Sequence, residues 1–171
     1  MKTRTFRLTG ILLLSGLLGL LLGGNFKDGT WLELTEDGTG RRVSAVALKD
    51  GEEVLLTWRN SLFNLEVTEV FHARRGQMVL DQVTFADPQG HPPPVVGPAE
   101  VEDYYHTGGP FTARGLGRPF TRVVHRVGEI GNPRLKIGNR WVAFKEEVGF
   151  GGGVVLTATP AGFLKTVLGG H

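Results

Sequence analysis

The chain has no cysteine, two methionines, two tyrosines and three serines among its 171 residues. Each scarcity removes a class of chemistry. Without cysteine, an exported domain has no disulfide and must be held by its core alone. A Cys-ligated zinc or iron–sulfur centre is excluded, as is the bacterial lipid anchor that needs a cysteine after the leader. Ser15 lies in the leader, and neither Ser44 nor Ser61 sits in a Gly-x-Ser-x-Gly elbow. The histidines His72, His91, His106, His125 and His171 are scattered, with no His-Glu-x-x-His pair. Gly149–Gly153 lacks the lysine of a phosphate-binding loop. Catalysis needs a positioned base and nucleophile, and nothing nominates one. The expectation is a protein that is not an enzyme and carries no cofactor.

What is present begins at the N-terminus. Lys2, Arg4 and Arg7 form a basic segment without an acid. An apolar run from Leu8 to Leu22 follows, broken only by Thr9, Gly10, Ser15, Gly16 and Gly19. This is the layout of a signal peptide or an N-terminal membrane anchor over residues 1–24. Its length suits a signal peptide, since a membrane span needs about 20 apolar residues. The large Leu21 and Leu22 before Gly23 and Gly24 suit an uncleaved anchor. In both cases the remainder is expected outside the cytoplasm, in the cell envelope.

The leader also accounts for the charge. It holds three of the 19 Lys and Arg and none of the 17 Asp and Glu. The remainder is close to neutral, so the basic balance is a targeting signal and not a nucleic-acid footprint.

From Trp31 onward, short β-branched and aromatic runs alternate with Gly, Asn, Asp and Pro. Nine candidate strands span residues 31–35, 42–48, 53–59, 66–73, 77–86, 120–127, 134–137, 140–145 and 154–159. The pattern predicts one all-β domain over residues 25–160, an antiparallel β-sandwich or β-barrel of eight to nine short strands. Two hairpins are expected, at Leu48-Lys49-Asp50-Gly51 and at Gly138-Asn139. Residues 87–117 read as a long insert loop, with a short helical turn over Val101–His106. A loop of that length is commonly functional. Deleting residues 92–112 is expected to leave the fold intact and abolish a partner interaction. Residues 161–171 form an apolar tail that docks or frays.

Three groups of residues are candidates for function. Asn60, Ser61 and Glu69 either line a polar ligand pocket or form a satisfied network holding a turn. Glu69 alternates with Val67 and Phe71, so it leans inward and needs a partner. The second group is Glu100, Glu102, Asp103 and His106 with Tyr104 and Tyr105. It reads as a divalent-cation loop better suited to calcium, a solvated acidic loop, or a tyrosine-bearing partner-binding tip. The third is Arg114, Arg118, Arg122 and Arg126, spaced every four residues. On a strand Arg122 and Arg126 share one side, either to attract an organic anion or to keep a strand face soluble.

Three segments carry a family resemblance. They are Trp58-Arg59-Asn60-Ser61-Leu62-Phe63-Asn64-Leu65-Glu66-Val67-Thr68-Glu69-Val70-Phe71, Gly76-Gln77-Met78-Val79-Leu80-Asp81-Gln82-Val83-Thr84-Phe85 and Arg126-Val127-Gly128-Glu129-Ile130-Gly131-Asn132-Pro133-Arg134-Leu135-Lys136-Ile137-Gly138. Across residues 40–160 the chain resembles family eighteen-fifty of the domains of unknown function. These are small exported bacterial proteins often encoded beside TRAP transporters of the TAXI subtype. Ser61 and Glu69 match the family pattern, Asn60 stands where a histidine is usual, and the 87–117 insert replaces a short Gly-Ala-Gly turn. The resemblance implies an envelope protein that binds as an accessory to a TRAP transporter component, with membrane contact through the N-terminal segment. The alternative is a periplasmic small-molecule or metal-binding sensor.

Overall fold

The computed structural model describes residues 29–162. The leader expected over residues 1–24 and most of the 161–171 tail therefore lie outside the described residues. Among the described residues no helix is long and apolar enough to cross a membrane.

Alternating apolar and polar side chains, punctuated by Gly, Asn and Asp, form eleven strands among the described residues. They are β1 (Thr30–Glu36), β2 (Arg42–Leu48), β3 (Glu53–Arg59), β4 (Glu66–Arg74), β5 (Gln77–Phe85), β6 (Val95–Val96), β7 (Phe111–Phe120), β8 (Arg122–Arg126), β9 (Arg134–Ile137), β10 (Arg140–Ala143) and β11 (Gly153–Pro160). Two short helices, α1 (Val101–Thr107) and α2 (Phe144–Val148), complete the elements.

The strands make two sheets, ordered β2-β1-β11-β8 and β10-β9-β3-β4-β5-β7-β6. Pairing is antiparallel except for β6, which lies parallel on β7. Apolar inner faces of both sheets share one core. Leu32 and Leu34 of β1, Leu48 of β2, and Val154, Leu156 and Ala158 of β11 meet Val54, Leu56, Phe71, Ala73 and Leu135 of the larger sheet. Each such large side chain contributes about 1.5–3 kcal/mol on burial. The Arg75-Gly76 turn between β4 and β5 ties the sheets together, because the Gly76 N–H donates to Thr30 Oγ1 at 2.9 Å.

The chain is all-β with two sheets, as the patterning predicts, but neither sheet closes and the barrel alternative falls. Eleven strands replace the expected eight to nine. The turn at Gly138-Asn139 is the expected hairpin, with Ile137 opposite Arg140. The turn at Lys49-Asp50-Gly51 is not a hairpin: β2 belongs to the smaller sheet and β3 to the larger. Its backbone is captured by the β4–β5 connection instead. The Gly51 N–H donates to the Ala73 carbonyl, and Asp50 Oδ1 accepts the Arg75 N–H, both at 2.8 Å. Turn chemistry sets the local reversal, while the partner of each strand is set by which core it faces.

Residues 87–117 are not a structureless insert. They contain β6, α1 and most of β7. Gly115, Gly117 and Pro119 disguise β7 as a loop. The Gly115-Leu116-Gly117 stretch bulges opposite Asp81, between the pairs Gln82–Arg114 and Leu80–Arg118. Both glycines take positive φ there, 68° and 59°, a conformation cheap only for glycine. Pro119 lies beyond the reach of β6, so its missing N–H breaks no pairing with that neighbour. The run expected over 120–127 divides at Thr121, where the chain passes from the larger sheet to the smaller.

The insert has a packing task. Four strands cannot cover the inner face of seven. The uncovered part carries a second apolar cluster: Leu65, Val67, Val83, Phe85, Val96, Phe111 and Ala113. Val101 and Tyr104 of α1, with Trp58, Phe63 and Leu116, pack against it. Phe111 and Val96 are fully or nearly buried. The expectation that residues 92–112 are dispensable is therefore corrected: they are the roof over this half.

Candidate functional site

The chain leaves β3 through a tight turn built by Asn60. This side chain is 3% exposed. Its Oδ1 accepts the backbone N–H of Leu62 at 2.9 Å and of Phe63 at 3.0 Å. Its own N–H donates to the Leu65 carbonyl at 2.8 Å. A short acceptor side chain is what this turn requires, which explains how asparagine serves at this position. The turn ends at Asn64 with φ 55°. Ser61 and Leu62 are left exposed at its tip.

Glu69 lies on the inner face of β4. The row through it crosses the larger sheet as Ala113, Val83, Glu69, Leu56, Leu135 and Val142. It is the one charged residue in an otherwise apolar row, at the seam between the two apolar clusters. The Trp58 indole N–H donates to Glu69 Oε1 at 3.3 Å. Burial pushes the Glu69 carboxyl above its ordinary range, and the Trp58 hydrogen bond only partly opposes this.

Trp58 connects this carboxylate to a cleft of about 470 Å³. Its walls are the Asn60 turn, the loop following β8, and Tyr105 of α1. Leu62 is 74% exposed, Ile130 52% and Tyr105 39%, so large apolar surfaces from three separate segments meet at one opening. Arg59, Arg126 and Glu129 supply the charge. Arg126 Nη2 is paired with Asp37 Oδ2 at 2.8 Å. Tyr105 is held edge-on against Phe63 and Phe85, with centroids at 6.2 and 5.8 Å. The close approach of Phe63 to α1 requires glycine at 108, since a Cβ there would lie 2.4 Å from the Phe63 ring.

Of the residues singled out from sequence, Asn60, Ser61, Tyr105 and Arg126 line this cleft, and Glu69 lies behind its Trp58 wall. The others do not join them. Tyr104 faces inward beside Phe111, with centroids 6.0 Å apart. It is a core anchor of α1 and not part of an exposed tip. Asp103 is exposed in the first turn of α1, where acids complement the helix dipole. His106 Nδ1 donates to the Glu102 carbonyl at 2.7 Å. Glu100 Oε2 accepts the Gly97 N–H at 2.8 Å. Among the described residues no group of three such side chains is arranged to hold a metal ion. Arg122 is exposed on the same side of β8 as Arg126, whereas Arg114 and Arg118 belong to β7 in the other sheet. The four-residue spacing is thus split between two surfaces.

Sequence reasoning missed Trp58, Arg59, Leu62, Ile130 and Glu129 as cleft residues. The available signal was a tryptophan ending a strand just before a polar turn. His125, on the inner side of β8, is half-buried against the core. Its ring lies 6.2 Å from that of Phe144, Nε2 is buried without a partner among the described residues, and burial lowers its pKa to about 4.

No protein-family model, no curated protein and no solved structure matches this chain.

Proposed function

We propose that the chain is a non-enzymatic binding protein of the cell envelope, a β-sandwich whose cleft takes an apolar side chain presented by a partner protein. The observation that carries this reading is the convergence of Leu62, Ile130 and Tyr105, all well exposed, on one cleft floored by Trp58 and edged by Arg59 and Arg126. Exposed apolar groups gathered at one place are characteristic of interaction sites. Tyr, Trp and Arg are the side chains enriched at the energetic centres of interfaces. The cleft volume suits one or two side chains. The resemblance of three segments to family eighteen-fifty supports a TRAP transporter component as the partner. The basic and apolar leader supports an extracytoplasmic position reached through, or tethered by, the N-terminus.

Site-specific photo-crosslinking in the native envelope tests the reading. A photoreactive side chain at position 62 or 130 is expected to capture a TRAP permease or its solute-binding protein. The same group at position 124, exposed on the outer side of β8, is expected to capture neither. Equal capture from all three positions, or no transporter component from the cleft positions, overturns the proposal.

A further inference from the structure

The sandwich has two ends, and they differ in charge. At one end β1 begins: Thr30 stands across from Leu48 and Pro160, and its Oγ1 accepts the Gly76 N–H. The Lys49–Glu52 connection, the Arg75-Gly76 turn and the Gly138-Asn139 hairpin gather there, because Glu53 pairs with His72 and Val54 with Ile137. At the opposite end Glu36 pairs with Val154 and Arg126 with Gly153. The cleft lies at this second end, since Arg59 and Arg126, the last residues of β3 and β8, line it.

Where β1 begins, Lys49, Arg74, Arg75, Lys136 and Arg140 outnumber Asp50, Glu52 and Glu53 by two. None of the five cations forms an ion pair among the described residues. Two of the three acids serve the backbone instead. Asp50 Oδ1 accepts the Arg75 N–H at 2.8 Å, and Glu52 Oε2 accepts the Lys49 N–H at 2.9 Å. At the cleft end the balance reverses. Glu36, Asp37, Glu66, Glu129, Glu146 and Glu147 outnumber Arg41, Arg59, Arg126, Arg134 and Lys145. Arg41 is paired with Glu36 at 3.0 Å and Arg126 with Asp37 at 2.8 Å. Beside the cleft, α1 adds Glu102 and Asp103.

An aromatic side chain joins the basic end. Trp141 follows Arg140 on the edge strand β10 and is 47% exposed, with Arg134 Cζ and Lys136 Nζ 5.5 and 5.8 Å from its ring centroid. A tryptophan ring among cations is the combination that settles at a layer of acidic lipid headgroups. The apolar run of the leader ends at Leu22, and Thr30 opens β1. Fully extended, the stretch between them reaches at most about 28 Å, whereas the seven residues of β1 span about 20 Å. Such a tether holds the domain close to a bilayer without fixing which end faces it. The charge asymmetry makes that choice.

We propose that, with the N-terminal segment acting as the tether read above, the basic end of the sandwich rests on acidic phospholipid headgroups and the cleft faces away from the bilayer. Trp141 then lies at headgroup level, and a partner reaches the cleft from the aqueous side.

The absence of cysteine allows single dyes to be placed for the test. The full chain with Asn139→Cys, in the basic-end hairpin, or Ser61→Cys, at the cleft, is labelled with a nitrobenzoxadiazole dye. Each is reconstituted into vesicles of phosphatidylglycerol and phosphatidylcholine that carry a headgroup nitroxide quencher. The dye at 139 is expected to be quenched severalfold more than the dye at 61. That preference is expected to vanish in vesicles of phosphatidylcholine alone, and with Arg74→Gln and Arg75→Gln together, which remove the surplus of two charges. Equal quenching at the two positions, or stronger quenching at 61, overturns the orientation. A preference for 139 that persists without phosphatidylglycerol or in the double variant overturns the role of acidic lipid. Flotation of the same vesicles separates two failures. A chain that floats with them but shows no preference for 139 keeps its tether and refutes the orientation, whereas a chain that does not float refutes both.

Discussion

The two halves of the larger sheet's inner face are roofed differently. Over β3, β9 and β10 the cover is another sheet, and the contact is mainly aliphatic: Leu32, Leu34 and Leu156 against Val54, Leu56 and Leu135. Over β5 and β7 the cover is a helix of seven residues and a turn, and the contact is aromatic. Phe85 stacks on Phe111 with centroids 4.7 Å apart, and Trp58 meets Phe85 edge-on at 6.5 Å. A sheet can present many branched side chains in register. A short helix has room for few, so those few are large. The difference has a structural consequence: the cleft opens beside the helical roof, where cover is thin, and the seam between the halves is where Glu69 lies.

The comparison is broken most severely by removing the roof. Deletion of residues 92–112 takes away Val96, α1 and Phe111, and exposes Phe85, Val67 and Val83. The expected outcome is loss of cooperative unfolding in calorimetry. The milder Phe111→Ala is expected to cost about 3–5 kcal/mol and Leu34→Ala about 2–5 kcal/mol in denaturant titrations. Hydrogen exchange separates the two halves. Because α1 buries no residue fully, its amides are expected to exchange by local opening, well before those of β1 and β11. Simultaneous exchange of α1 and β1 would show that the halves are one cooperative unit.

A smaller effect is expected at the turn. Asn60→Ala removes the acceptor for two backbone N–H groups and is expected to cost about 1–3 kcal/mol. Asn60→Asp keeps the acceptor and is expected to retain most of that stability. Equal losses in the two variants would mean that the turn does not depend on the side-chain oxygen.

The seam gives the smallest effect and one that depends on pH. The folded-state pKa of Glu69 is raised from its ordinary value of 4.5. The stability associated with the protonated form is therefore fully present below pH 4.5 and is lost as pH rises through the folded value. Leu56, Val67, Phe71 and Val83, its neighbours on the inner face, offer no compensating charge. Glu69→Gln retains an acceptor for the Trp58 indole and abolishes the charge. Its melting temperature is expected to exceed that of the parent at pH 7, with the gap closing as pH falls through the raised folded-state value and gone below 4.5. A gap independent of pH would remove the carboxylate from the seam.

Period-two alternation was enough to read most of β1 to β5 and the inward lean of Glu69 between Val67 and Phe71. It was also enough for the Gly138-Asn139 hairpin, whose two arms pair with each other. It failed at Lys49-Asp50-Gly51, because a turn that reverses the chain looks the same whether its strands pair or part. It failed at β7, where two glycines and a proline have low strand propensity and are tolerated only because a bulge and a short β6 surround them. The cleft was legible in fragments. Asn60 and Ser61 are recognisable as polar turn residues, Tyr105 as an aromatic in a long insert and Arg126 as part of a four-residue arginine spacing. Leu62 and Ile130 carry no sequence signal, since an exposed apolar residue is ordinary until its neighbours are known.

Residue order alone thus sufficed for the all-β class and most reversals of the chain, because alternation and turn chemistry are local properties. The three-dimensional packing chose which strands pair, made a roof of an apparent loop and brought residues 58–62, 105 and 126–131 to one opening. Those outcomes depend on how much of a seven-stranded face a four-stranded sheet can cover, a matter of area that no short stretch of sequence encodes.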